Sequence, residues 1–313
     1  MRRKGHSIRD IATTIGRGVG TISDELNRNK VAGEYDSTKA DHKANVRRKA
    51  AKFQGKKLVD NPTLLAFVEK ALLRLQSPAA ISGRLKTGRD GLPYVSKNSI
   101  LRYIASAHGR RLEYQLKVLK ANQNRKVRKK RPAVTSLSDR TFIDKRPSVI
   151  TNRERVGDVE ADFIISGKSG SGYLLTVVDR KLRYGFIRKI LPVTIANMEQ
   201  AFLDVKAQFP ELLSITTDND LLFAHHKRLE ALLGVPIYFC DPYASWQKGS
   251  IENYNGQVRK FVPKSSDISS YPVAYLQQAE TQLNERYMSI IGYLTPEECL
   301  QEYRITSKKE KSR

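Results

Sequence analysis

Three acids spaced two residues apart form the stretch with the clearest chemical content. In "GDVEADFII", residues 157–165, Asp158, Glu160 and Asp162 run into the apolar residues Phe163, Ile164 and Ile165. Side chains alternate faces along a β-strand, so all three acids project from one side of a strand heading into a core. Like charges held in such a row repel, and each needs a neutralising partner or a wet edge. Asp218 ends the expected strand "LLSITTD", at the carboxyl edge where open α/β sheets place their sites. Glu252 lies in "WQKGSIENYNGQVRKF", a polar segment that reads as the start of a helix. Carboxylates on a strand, a strand end and a helix can converge on one point. An oxygen-only set of this kind suits a hard divalent cation, Mg²⁺ with Mn²⁺ as a substitute. Two such ions about 4 Å apart serve in-line phosphoryl transfer, in which a water or a 3′-hydroxyl attacks and an oxygen departs. His225 and His226 are adjacent, point to different helix faces, and read as surface or helix-start residues rather than ligands.

These acids need a scaffold, and the pattern supplies one. Strands are expected at 158–166, 173–180, 184–191, 212–218 and 235–240, and helices at 194–208, 224–233, 246–261 and 271–286. Three consecutive strands followed by alternating helices and strands predict a mixed sheet covered by helices, an α/β domain over 149–304 with a basic tail at 305–313.

The first half of the chain is of another kind. The formal net charge is +24; +23 of it falls in residues 1–150 and +1 in residues 151–313. So one-sided an excess implies a polyanionic partner, and double-stranded nucleic acid is the commonest. No run approaches the ~20 apolar residues of a membrane span, and "MRRKGHSIRD" lacks the apolar centre of a signal peptide. Two cysteines, Cys240 and Cys299, make neither a disulfide framework nor a zinc site. A cytoplasmic protein without membrane contact is expected.

Residues 7–28 read as two short helices around a tight turn. Ser7 is the N-cap, Ile8, Ile11, Ala12 and Ile15 share one face, Gly16 closes the first helix, and Val19, Ile22 and Leu26 continue the pattern. A helix-turn-helix of this layout places its second helix in the major groove, with Arg17, Thr21, Ser23 and Arg28 as DNA contacts. An ordinary helical hairpin has the same spacing. This unit, with its basic tail "RRKAAKFQGKK", is expected over 1–57. A second helical unit over 58–108 has three helices, at about 63–75, in "SPAAISGRL" and in "SKNSILRYIAS", with Ser96, Lys97, Asn98 and Arg102 facing DNA. Residues 109–148 form a basic linker whose "RKVRKKRP" is too charged to pack.

Four segments, "GDVEADFII", "TTDN", "VPIYFCDPYASWQKGSIENYNGQVRKFVPK" and "LNERYMSIIGYLTPEE", resemble the catalytic region of bacterial insertion-sequence transposases of the IS30 family. The N-terminal "GHSIRDIATTIGRGVGTISDELNRN" is similar to that family's helix-turn-helix, and "SPAAISGRL" with "SKNSILRYI" to its second helical region. The resemblance implies a multidomain protein with N-terminal all-α helix-turn-helix units and a ribonuclease H-like, integrase-like catalytic core. It makes Asp162, Asp218 and Glu252 the catalytic and metal-ligating residues, with the family's spacing of 33 residues between the last two. Asn253 and Asn255 match polar positions beside the glutamate, Asn255 as a DNA contact, and Arg259, two helical turns on, matches a basic residue that contacts DNA. It further implies terminal inverted repeats and target DNA as substrates, a homodimer or higher oligomer on DNA, and joined-end or circular intermediates. The chain departs from the pattern at Asp220, where glycine is usual, at Leu222, where an acid is usual, and at Val159, where tryptophan is common. It also begins close to its first helix-turn-helix, where relatives carry an upstream helix. Two other readings are a DNA-binding regulator that no longer cuts, and a metal-dependent nuclease of RNA–DNA hybrids. The helix-turn-helix units, suited to duplex grooves, argue against the nuclease.

Overall fold

A computed structural model of the chain describes residues 1, 5–30, 33–51, 56–121, 139–167, 170–241 and 244–311. It divides into two compact units, Met1–Asp60 and Asn61–Arg313.

The first unit is helical, with α1 Ile8–Ile15, α2 Val19–Asn29, α3 Ser37–Ala51 and α4 Lys56–Val59. Ser7 opens α1 through a capping box: its hydroxyl accepts from Asp10 N at 3.1 Å and the Asp10 carboxylate accepts from Ser7 N at 3.0 Å. Gly16 closes the helix at φ +66°, a conformation that favours glycine. Ile11 and Ala12 are buried. Ile15 and Val19, expected on the packed face, are instead 55% and 46% exposed, because the chain turns between them and both fall at helix ends. Arg17, Thr21 and Arg28 are exposed, and Ser23 is half-buried. Residues 52–55, within the expected basic tail, lie outside the described residues.

The second unit begins with a helical bundle, α5 Pro62–Leu73, α6 Pro78–Lys86, α7 Lys97–Ile104 and α8 Arg110–Ala121. Ser77 caps α6 through Ala80 N, and Ser96 caps α7 through Ser99 N, so the Ser96 side chain is occupied by its own helix. Lys97, Asn98 and Arg102 are exposed. Leu64, Val68, Ile81, Leu85, Ile100, Tyr103 and Leu112 are buried. Leu112 lies on α8, so the start of the expected linker is helical; its "RKVRKKRP" lies outside the described residues.

A six-stranded mixed sheet follows: β1 Thr141–Phe142, β2 Asp158–Ile165, β3 Tyr173–Asp179, β4 Gly185–Ile190, β5 Ser214–Thr217 and β6 Ile237–Phe239. Its order is β1-β6-β5-β2-β3-β4, with β2, β3 and β4 antiparallel in sequence and β5, β6 and β1 added parallel. An antiparallel meander extended on its first strand by parallel strands is the ribonuclease H-like arrangement that the resemblance implied. The helices are α9 Ser148–Thr151, α10 Ile195–Gln208, α11 His226–Leu233, α12 Gly249–Val258, α13 Val273–Asn284 and α14 Pro296–Lys311. α14 continues through most of the expected C-terminal tail.

Two cores flank the sheet. Val159, Ala161 and Phe163 of β2 pack with Phe202 of α10, Leu229 of α11 and Leu300 of α14. Ile164 packs on the other face with Ile251 and Val258 of α12 and Leu276 of α13. Val159, at the position where tryptophan is common in the family, is fully buried. Ile165, expected to be buried, is 48% exposed at the end of its strand. The bundle is fastened to this domain by Arg84 of α6. Its buried guanidinium meets Asp90 at 2.8 Å and Glu298 of α14 at 2.6 Å. Beside it Gly83 faces the Tyr293 ring so closely that an added Cβ would lie 2.1 Å away.

Asp179 closes β3 from a fully buried position. Its carboxylate accepts from Gly157 N at 2.8 Å, Lys181 N at 2.9 Å and Leu182 N at 2.6 Å. Burial outweighs these donors and pushes the carboxyl up to about 6 from its usual 3.8. The folded state therefore holds a proton that the unfolded state has already lost between about pH 4 and 6. Stability rises as pH falls through that window and is lower above it. A shift of about two units is worth at most ~3 kcal/mol. Thermal melts at pH 5 and pH 7 should show this gain in the native protein, and Asp179→Asn should remove it.

Candidate active site

The three aligned acids of β2 each have their own partner. Asp158 is buried, in a fork with the Arg155 guanidinium at 2.9 and 3.0 Å, and it accepts from the Ser214 hydroxyl at 2.5 Å. The sequence reading that makes Asp158 the wetter acid, at the start of the strand, is therefore corrected: β5 pairs alongside and covers it. Glu160, whose role the strand pattern left open, is also fully buried. Its Oε1 pairs with Arg180 at 2.9 Å and its Oε2 accepts from Ile251 N at 2.9 Å. The second bond has a structural consequence. α12 has no side-chain cap of its own, and Glu160 satisfies one of its free first-turn N–H groups from the sheet face on which the helix packs, where a negative charge also suits the helix dipole. The strand acid therefore sets the start of the helix that carries Glu252.

Asp162, the third acid, is partly open, with 23% of its side chain exposed, and Asp218, just past the end of β5, has 34% exposed. Between them stands Lys248. Its ammonium lies 3.4 Å from Asp162 Oδ1 and 3.0 Å from Asp218 Oδ2, with only 7% of the side chain exposed. Asn255 Nδ2 donates to Asp162 Oδ2 at 2.8 Å. Burial pushes the Asp162 carboxyl up, against the pull of Lys248. Burial also works against the Lys248 charge, but the two carboxylates outweigh it and hold the ammonium above its ordinary value. Asp218 Oδ1 is buried and has no hydrogen-bond partner among the described residues.

The structure thus brings Asp162, Asp218 and Asn255 to one place. Glu252 lies in the first turn of α12 and is exposed. Among the described residues no group of three His, Cys, Asp or Glu side chains is gathered to hold a metal. Two observations still fit a cation to the Asp162–Asp218 pair: a positive charge bridges them, and a buried carboxylate oxygen lacks a donor. Arg259 caps the end of α12, half-buried, with Nη1 3.4 Å from Pro263 O. Burial lowers its affinity for a proton while the Asp162 charge raises it.

Lys248, Arg180 and Arg155 were not among the expected site residues. For Lys248 a signal existed, since a lysine four residues before Glu252 shares its helical face. The departures from the family pattern also have local explanations. Asp220 accepts from Leu222 N at 2.9 Å and starts a short 3-10 turn, Leu221–His225, and Leu222 packs on the core. His226 stands at a helix start, as one of its two expected positions, but is buried there. Its ring nitrogens lie 3.2 Å from Phe223 O and 3.0 Å from Asp139 O, bonds that fix it as a structural residue.

A chain with a helical N-terminal region and a mixed six-stranded sheet thus carries paired carboxylates at adjacent strands. Comparison with known proteins makes this specific. The chain is 34% identical over 296 residues to the transposase of insertion sequence element IS4351 from Bacteroides fragilis, covering 92% of this chain and 88% of that protein. It is 31% identical over 305 residues to transposase InsI of element IS30C from Escherichia coli, covering 94% and 79%. No protein-family model matches. The catalytic core domain of BIV integrase superposes on 49% of this chain at 20% identity with a TM-score of 0.40. Family membership rests on the two transposase alignments, and by them the chain belongs to the IS30 family of insertion-sequence transposases.

Proposed function

We propose that this transposase binds the terminal inverted repeats of its element and carries out Mg²⁺-dependent strand cleavage and strand transfer, with Asp162, Asp218 and Glu252 as the acidic triad. The observation that carries this reading is the bridging of Asp162 and Asp218 by a single buried cation, Lys248. Bound divalent ions would supply the polarisation of phosphoryl oxygens and the activation of the attacking hydroxyl. The chain's own residues do the rest. Asn255 orients the Asp162 carboxylate, and Glu160, held by Arg180, fixes the first turn of α12 and with it Glu252. Duplex DNA is held through Arg17, Thr21, Ser23 and Arg28 of the first helical unit and Lys97, Asn98 and Arg102 of the second, while Arg259 lies nearer the acids. Pairing two DNA ends calls for at least a homodimer, acting in the bacterial cytoplasm.

A second reading, a DNA-binding regulator that does not cut, is favoured by one observation: Glu252 stands apart from the other two acids, and Lys248 already neutralises them. One experiment separates the two. The purified protein is mixed with end-labelled duplexes from the DNA flanking its coding sequence, with Mg²⁺ or with EDTA. Nicked and joined products that need the metal support the transposase activity; binding without any product supports the regulator.

A further inference from the structure

A cavity of about 620 Å³ lies between the helical bundle and the sheet domain, within the second unit. Its walls include the start of α6, the α12 helix and the loop after α13. Among the described residues, three guanidiniums line it, Arg153, Arg183 and Arg286, with no aspartate or glutamate. Arg183 Nη1 donates to Ser250 Oγ at 2.6 Å, while the Nε atoms of Arg183 and Arg286 are buried without a partner among the described residues. Burial depresses the proton affinity of both, and for Arg183 the nearby Arg153 adds to it. Three like charges facing one partly desolvated space are costly unless an anion completes them, and a guanidinium fork matches a phosphate. The remaining surface includes Leu283, Met288, Ile290 and the rings of Tyr287 and Tyr293, which suits a flat apolar group. The volume falls in the range of small-ligand sites.

We propose that this cavity takes one unpaired nucleotide of a DNA strand, with its phosphate on the arginines and its base against the aromatic and aliphatic wall. The position favours a strand in transit to the acids, because Asn253, which lines the cavity, directly follows Glu252 on α12. Base–aromatic stacking adds affinity for an unpaired base that a fully paired duplex does not gain. The inference rests on the DNA-processing reading, but its test is binding without metal, so that a failure to cut leaves the outcome readable.

The full-length protein is titrated in EDTA against two fluorescein-labelled duplexes of the same sequence, one blunt and one with a short single-stranded 3′ overhang. The native protein should prefer the overhang by about tenfold. Arg286→Gln and Arg153→Gln should each erase that preference and leave blunt-duplex affinity within about twofold, the blunt arm also serving as the control for folding. Absence of a preference in the native protein would overturn the proposal, as would equal loss on both duplexes in both variants. A third arm adds deoxyadenosine monophosphate at millimolar concentration. Removal of an existing preference supports the site, whereas binding of the mononucleotide with no overhang preference assigns the cavity to a free nucleotide and overturns it.

Discussion

Asp162→Asn, Asp218→Asn and Glu252→Gln, made one at a time, are each expected to abolish strand cleavage and joining while leaving affinity for the element's ends within a few-fold. Loss of a single preorganised electrostatic stabiliser costs about 10²–10³-fold in rate. A carboxylate that holds a metal at the reacting phosphate should cost at least that, so product should fall below detection. The amide replacements keep shape and remove charge. DNA affinity should persist because most of the chain's excess positive charge lies in residues 1–150, away from the acids in sequence. Gel assays of cleavage and mobility shift on the same preparations read both quantities. Near-normal joining by any one variant would remove that residue from the triad.

The second large effect concerns Glu160 and is read as stability. Glu160→Ala leaves the buried Arg180 guanidinium without its carboxylate and Ile251 N without an acceptor. Removing one partner of a buried ion pair costs about 3–5 kcal/mol. For a unit of this size that corresponds to a fall of roughly 10 °C in melting temperature. Glu160→Gln keeps an oxygen for Ile251 N and loses only the charge, so it should fall between the alanine variant and the native protein. A change no larger than that of a surface substitution, about 0.5 kcal/mol, would mean that Glu160 does not hold α12.

These two cases mark how far the sequence reaches. Alternation along "GDVEADFII" placed the acids on one face, because a pleated strand permits no other arrangement. It could not name their partners. Arg180 reaches Glu160 only because β2 and β3 form an antiparallel pair whose register sets Glu160 opposite Val178 and brings the end of β3 back beside it. Asp158 is dry only because β5 lies alongside. Strands β2 to β6 and helices α10 to α13 were legible within a few residues, since their apolar periods are strong and their ends carry turn residues. α14 was missed because its last turns are too charged to show an apolar stripe. Ile15 and Val19 were misplaced because each falls at the end of its own short helix, where the packed face runs out. The Asp162–Asp218 pair was legible from strand position and from the family resemblance. Lys248 between them was visible only as a helical neighbour of Glu252.

The proposed activity requires the Asp162–Asp218 pair, which Lys248 now bridges, to take a divalent cation. Anomalous diffraction from crystals of the native protein grown with Mn²⁺ tests it most directly. A manganese peak is expected within ligand distance of both carboxylates, with the Lys248 ammonium no longer bridging them. A map without metal there, and with Lys248 still joining Asp162 to Asp218, would contradict it.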